Sequence, residues 1–403
     1  MRVLVVLNSL ELGGTQINAV DFARALRSHG IDSILIGDTR SAGEGPSLHD
    51  YAKKYGIEIE PYSPESGTTA HARQLRDMAE RLDVDIVHVY GMWGAARPTY
   101  WGPSRFGRLP WVQTVYEMSI TSVVHRRVPL IVGTEYLVEE LADRPGKTIL
   151  VSPPVDLAAD TPDVTEARSF RAEHRLGGGV LLGIVSRLDS RMKAVAIETA
   201  IAAMSELAKC GATLFVVGGG DAEHALGAKA DAVNDDVGRP VVRMLGPMSD
   251  PRPAYAASDI MLGMGGSAAR SLAFGKPLIV QGEAGWSQLF ERTTARFLAR
   301  SSYWSPDKPA QPVENLVHIA DPLITDATRR EELGAFGREF AESRFGLEAM
   351  TDRLANFYGE AIGAYHRRDW VLDLPREGRR LVEMVGRRLR VPGVPPAGEA
   401  GAR

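Results

Sequence analysis

Residues 2–26 read RVLVVLNSLELGGTQINAVDFARAL: a short apolar run, a turn at Gly13 and Gly14, and a helix. Units of this kind recur down the chain. In the first half, further β-branched runs lie at DSILIGD (32–38), DIVHVYG (85–91), WVQTVYE (111–117), PLIVGT (129–134) and TILVSPP (148–154). The second half repeats the pattern with VLLGIVSRL (180–188), ATLFVVGGG (212–220), PVVRMLG (240–246), DIMLGMGG (259–266) and PLIVQGE (277–283). Strands that alternate with helices and read as continuous apolar runs belong to parallel sheets covered on both faces. The fold class is therefore α/β, with two doubly wound, Rossmann-like domains in succession. Open parallel sheets bind ligands at the carboxyl ends of their strands. Two such sheets facing each other make a cleft, and the residues lining it should follow the strands.

Between the two halves, DLAADTPDVTEARSFRAEHRLGGG (156–179) is polar and lacks strand periodicity, which suits a linker and a short helix. The expected divisions are 1–160 for the first domain and 175–345 for the second. Residues 346–370 then form a helix that crosses back to the first domain, and 371–403 a basic helix with a flexible tail. In that last segment Leu381, Val382, Met384, Val385 and Leu389 recur at helical spacing among arginines. Such a helix can lie on an anionic membrane, but Gly378 and Gly386 interrupt it, and packing on its own domain or in solvent is the favoured expectation.

A chain of 403 residues exceeds what one core normally supports, and 44% apolar content suffices to fold two domains. A net charge of −4 lacks the surplus of lysine and arginine that nucleic acid demands. The single cysteine, Cys210, excludes an intramolecular disulfide and, in an apolar-patterned stretch, is expected to be buried and inert. The opening residues read as a strand rather than a signal peptide, and no run of about 18 apolar residues is present to span a bilayer. The expected location is cytoplasmic.

Gly13 and Gly14 allow close approach of a ligand to the backbone, and the free N–H groups of the following helix favour a phosphate. They lack the full glycine pattern of dinucleotide binders. From this turn through DIVHVYG, TVYE, LIVGTEYLVEEL, VSPPVDL, GIVSRLDSRMK, LFVVGGGD, VRMLGPMSD, AYAASDIML, LAFGKPLIV and FGREFAESRF, the chain resembles family 4 glycosyltransferases of the GT-B fold. The resemblance spans nearly the whole chain and rests on the order of the motifs. It implies that the first domain receives the acceptor and the second holds a nucleotide sugar, with the Gly13–Gly14 turn over the donor phosphates.

Arg187, at the end of VLLGIVSRL, and Lys193, before the next helix, match the family's diphosphate-binding cations. Two cations at a strand-to-helix turn suit the charge that develops on a diphosphate leaving group. In DIMLGMGGSAARSLAFGKP, Gly265 and Gly266 lead through Ser267 into a helix beginning near Ala268, an anion cradle of backbone N–H groups. Here the chain departs from the family. The usual pair of glutamates is missing, with Arg270 at the second position and a loop too short to supply the first. Arg270, in the first turn of that helix, is expected to meet a donor anion that offsets its unfavourable place. Glu283, after the next strand, is a substitute carboxylate for the cleft.

In the first domain the family's histidine–acid pair is replaced by Tyr116 and Glu117. Tyrosine is a poor base at neutral pH, which leaves Glu117 or His88 to handle an acceptor proton. Tyr90, Met92 and Trp93 follow His88, with Tyr90, Trp93 and Tyr116 as acceptor-side surfaces for stacking on a sugar. Asp235 and Asp236 read as a solvated turn, so no metal site is expected. The resulting expectation is a retaining, metal-independent transferase with no cofactor beyond a nucleoside diphosphate sugar, UDP- or GDP-linked, and a small-molecule acceptor. The alternatives are a sugar-nucleotide 2-epimerase and a catalytically silent binding protein of the same fold.

Overall fold

A computed structural model of the chain describes residues 1–39 and 47–389. The first sheet contains β1 (Arg2–Leu7), β2 (Asp32–Asp38), β3 (Ile59–Tyr62), β4 (Ile86–Tyr90), β5 (Trp111–Val115), β6 (Leu130–Val132) and β7 (Thr148–Leu150). Its order is β3-β2-β1-β4-β5-β6-β7, parallel throughout. The second contains β8 (Val180–Val185), β9 (Ala212–Val217), β10 (Val242–Met244), β11 (Ile260–Gly263), β12 (Leu278–Gln281) and β13 (Ser287–Leu289). Its order is β10-β9-β8-β11-β12-β13, with only β13 antiparallel. In each sheet the order reverses beside the first strand, so the crevices where such sheets bind ligands open after β1 and after β8.

Two strands escape the apolar pattern. β3 carries Pro61, which cannot donate to a ladder and is tolerated because β3 is an edge strand. β13 is three residues long, SQL, too short and polar to read as a run. Asp235 and Asp236, expected in a turn, lie instead on the helix Glu223–Val237. Cys210 is also a correction: it is exposed, ends a 3-10 turn, and its thiol donates to an Asp321 carboxylate oxygen at 3.2 Å. That contact, with a little desolvation, pushes the thiol pKa up.

The chain crosses between domains twice, and the two crossings are hydrogen-bonded to each other. Val155 N–H donates to the Phe345 carbonyl at 3.1 Å, and Leu347 N–H to the Val155 carbonyl at 2.9 Å. The helix Leu347–Gly363 then buries Met350, Leu354, Phe357 and Tyr358 in one cluster with Val3, Val5 and Phe22. The first domain's core is thus completed by residues from the far end of the chain. In the linker, the Asp163 carboxylate caps the helix Val164–Glu173 by accepting from Thr165 N–H and Glu166 N–H.

The final described helix, Arg367–Leu389, docks on the first domain. Of the residues expected to form its apolar stripe, the side chains of Leu381, Met384, Val385 and Leu389 lie outside the described residues, as does the tail from Val391. Among the described residues no helix is long and apolar enough to cross a membrane.

Candidate functional site

A cavity of about 780 Å³ opens between the domains at the carboxyl ends of β1, β8, β9 and β11. The first domain contributes the Gly13–Gly14 turn, and the second contributes Arg187, Lys193, the Gly218–Gly220 turn, Gly266 and Ser267. Gly14 begins the helix Gly14–Leu26, and a Cβ placed on it would meet nothing within 4 Å. The backbone there is open to close approach by a ligand. Across the cavity, the helix Ala194–Leu207 points its N-terminus inward with Lys193 as its cap residue.

The loop carrying the two cations is braced before any ligand arrives. The Asp189 carboxylate accepts from Arg191 N–H at 3.1 Å and Met192 N–H at 2.9 Å. Ser190 donates through its hydroxyl to Asp221 at 2.6 Å, tying this loop to the turn after β9. Arg187 extends into solvent with its side chain 61% exposed, 4.0 Å from Asp189. Lys193 is largely enclosed, and burial brings its pKa down to about 8, with Asp189 opposing the shift and Arg187 adding to it. A lysine so placed at a helix N-terminus is short of negative charge, and an anion entering the cavity would supply it.

The second glycine turn takes a conformation that only glycine adopts easily: Gly265 has φ +59° and ψ −130° and serves as N-cap of the helix Gly266–Ala273. That helix begins two residues earlier than the expected Ala268, which is wholly buried and does not face the cavity. The Ser267 hydroxyl makes no cap; it donates to the Met264 carbonyl at 3.3 Å. Gly265 itself lines a separate, smaller cavity of about 310 Å³ with Tyr303 and Arg344. Glu283 is half-buried and does not line the cavity between the domains; its N–H donates to the Ser305 carbonyl at 3.2 Å.

Arg270 lines the cavity, but its counterion comes from the protein. Its Nε donates to Asp160 of the linker at 2.9 Å, with the two side chains 15% and 2% exposed. Asp21 of the first domain is buried beside them and accepts from the Tyr51 hydroxyl at 2.8 Å. Burial works against charge on Arg270, but Asp160 first, then Tyr255, Tyr51 and Asp21, hold its pKa above the ordinary value. Burial pushes both carboxyls up, opposed chiefly by Arg270. The expected place of Arg270 in the first turn of its helix is therefore corrected: it lies in the last turn of Gly266–Ala273, and Asp160 already offsets its charge.

The residues proposed on the acceptor side separate. His88 is fully buried, with Nδ1 2.6 Å from the Tyr358 hydroxyl and Nε2 2.7 Å from the Thr114 hydroxyl. Burial brings its pKa down to about 3, so it stays neutral and joins β4 and β5 to the crossing helix. It is corrected from a proton acceptor to an internal tie. Tyr90 stacks on His88 at 4.3 Å between ring centroids, and Met92 is buried in the core; neither lines the cleft. Tyr116 is half-buried against Gly133, and burial raises its pKa. Trp93 and Glu117 are exposed after β4 and β5, with the Glu117 carboxylate close to Gly91.

Several lining residues were not foreseen. The Gly218–Gly220 turn was visible as three glycines after a strand, the same signal that marked Gly13 and Gly14. Asp160 and Tyr51, which line the cavity, and the buried Asp21 beside them carried no signal, because they meet only where linker, first helix and a later helix converge. Lys54 and Asp250, on the rim, join the two domains at 2.6 Å, and Arg252 holds the same carboxylate. Among the described residues no group of three histidine, cysteine, aspartate or glutamate side chains is arranged to hold a metal.

Two Rossmann-like domains, facing across a cavity at the carboxyl ends of both sheets and stitched by a returning C-terminal helix, constitute the GT-B fold. No family model matches the chain, and no curated protein matches it in sequence. In fold it is similar to the crystal structure of a glycosyltransferase from Rickettsia africae ESF-5, with a TM-score of 0.71 and 15% identity over 90% of this chain and 99% of that one. It is also similar to Anabaena HepE in complex with UDP and glucose, with a TM-score of 0.70 and 16% identity over 89% and 99%. The UDP-GlcNAc 2-epimerase from Neisseria meningitidis bound to UDP-GlcNAc superposes with a TM-score of 0.57 and 15% identity over 89% and 100%. At these identities the likeness is one of fold.

Proposed function

We propose that the chain is a glycosyltransferase of the family 4 type, moving a sugar from a nucleoside diphosphate donor to a small acceptor with retention of configuration and without a metal. The observation that carries this reading is the convergence of Arg187, Lys193 and the helix starts after Gly13, Lys193 and Gly265 on one interdomain cavity. A diphosphate accumulates charge as its bond to the sugar breaks, and fixed cations and N–H groups stabilise that charge without reorganising. The bond from the anomeric carbon to the β-phosphate oxygen breaks, a bond to the acceptor oxygen forms, and the acceptor's proton passes to the diphosphate. No buried histidine or tyrosine is then required as base. Closure of the two domains excludes water from the reactive centre.

The direct test is thermal denaturation with UDP, GDP, ADP, CMP and dTDP. A nucleotide at about a hundred times its Kd stabilises by about 2.7 kcal/mol. UDP or GDP is expected to raise the melting temperature, consistent with the UDP bound in HepE. No shift with any of the five would remove the nucleotide reading. Turnover is expected to be unchanged in EDTA, because phosphate charge is met by side chains and backbone; loss restored by magnesium or manganese would contradict metal independence.

Arg270 in place of a carboxylate, together with the fold likeness to a 2-epimerase, keeps a second reading in view. An epimerase would release UDP from a UDP-N-acetylhexosamine with no acceptor present, whereas a transferase would need one.

A further inference from the structure

The helix Arg367–Leu389 is docked with its polar side inward. Asp373 and Glu377, one helical turn apart, are buried against the first domain. Asp373 meets Arg105 at 3.3 Å and Arg127 at 3.8 Å and accepts from the Tyr100 hydroxyl; Glu377 meets Arg97 at 3.3 Å and His125 at 3.7 Å. The opposite side therefore faces outward, and it is apolar. Val371, Leu372, Leu374 and Val382 are 54%, 56%, 41% and 73% exposed, with Pro375 and Gly378 exposed between them. A helix docked on a soluble domain normally shows the reverse arrangement.

Among the described side chains of this helix, the exposed charges have one sign. They belong to Arg367, Arg368 and Arg379. The acids whose side chains are described point inward: Asp369 faces Arg127 at 3.6 Å, and Asp373 and Glu377 are paired as above. Arg376 and Arg380 donate to the Ser122 carbonyl and so brace the helix. Phe106, next to the Arg105 that grips Asp373, is 64% exposed as well.

We infer that this outward face seats on an anionic membrane surface, its aliphatic side chains entering the headgroup boundary and its arginines meeting lipid phosphates. Apolar residues flanked by cations on a helix anchored from behind fit that environment. A second copy of the chain fits it poorly, because a two-fold contact through the same helix sets arginine against arginine. The inference does not depend on the transfer reaction.

Vesicle flotation with the full chain tests it. Binding is expected to vesicles of phosphatidylcholine with about 30% phosphatidylglycerol and not to phosphatidylcholine alone, and to weaken severalfold as salt rises to about 0.5 M. The double variant Leu372→Asp/Leu374→Asp and the double variant Arg367→Glu/Arg368→Glu are each expected to reduce the bound fraction at least about tenfold, with melting unchanged because all four side chains are exposed. Failure of the unaltered chain to bind, or undiminished binding by either variant, overturns the inference. So does a dimer in sedimentation velocity that Leu372→Asp/Leu374→Asp abolishes while anionic vesicles remain unbound.

Discussion

Lys193→Ala is expected to lower turnover at least about a hundredfold, the scale for removing one preorganised charge stabiliser, and Arg187→Ala to act in the same direction. Lys193 caps a helix whose N-terminus already favours an anion, and Asp189 and Ser190 hold its loop in place. Nothing has to be reorganised as the leaving group gains charge. Steady-state kinetics on both variants provide the check, and near-normal rates in both would remove these residues from the site. The same lysine predicts a pH effect. With its pKa brought down to about 8 by burial, Lys193 is charged below that pH and neutral above it. Donor affinity in calorimetry should therefore be roughly tenfold weaker at pH 9 than at pH 7. Stability of the free protein runs the other way. The folded pKa lies below the unfolded one, so the unfolded chain binds more protons between about 8 and the ordinary lysine value, and stability rises with pH across that window. The opposite signs separate binding from folding.

Arg270→Glu is expected to cost about 3–5 kcal/mol, because it removes one partner of a buried pair and sets a third carboxylate beside Asp160 and Asp21. For a domain of this size that corresponds to a melting temperature lower by roughly 6–20 °C. Donor affinity should fall at least about tenfold, since Arg270 lines the cavity and its neighbours position the linker. The charge-swapped pair Asp160→Arg/Arg270→Asp should recover part of the stability if the contact with Asp160 is what matters. Unchanged melting with tighter donor binding in Arg270→Glu would show that the arginine serves neither purpose.

Local sequence went far toward the architecture because each parallel strand must be apolar on both faces. RVLVVL and VLLGIV can hardly be anything else, and the glycine turns after them mark where the sheets open. The same logic found Gly13, Gly14, Arg187, Lys193, Gly266 and Ser267, all of which line the cavity. It failed at the edges: Pro61 disguised β3, and β13 was too short to register. It failed more instructively at His88, and it did not reveal the partner of Arg270. A histidine at the end of a strand looks the same in sequence whether it faces a cleft or the core. The return of Tyr358 on the C-terminal helix, 270 positions away, occupies its Nδ1, and Thr114 on the neighbouring strand occupies its Nε2. Arg270 looked like a cation in want of an anion because the sequence placed it in the first turn of a helix starting near Ala268, whereas it lies in the last turn of Gly266–Ala273. Its partner, Asp160, lies 110 positions earlier in the linker. Strand periodicity and glycine turns are set by neighbours along the chain, whereas the charge state and orientation of a buried side chain are set by whichever residues folding brings against it. Those contacts, and the inverted docking of the last helix, belong to the tertiary structure alone.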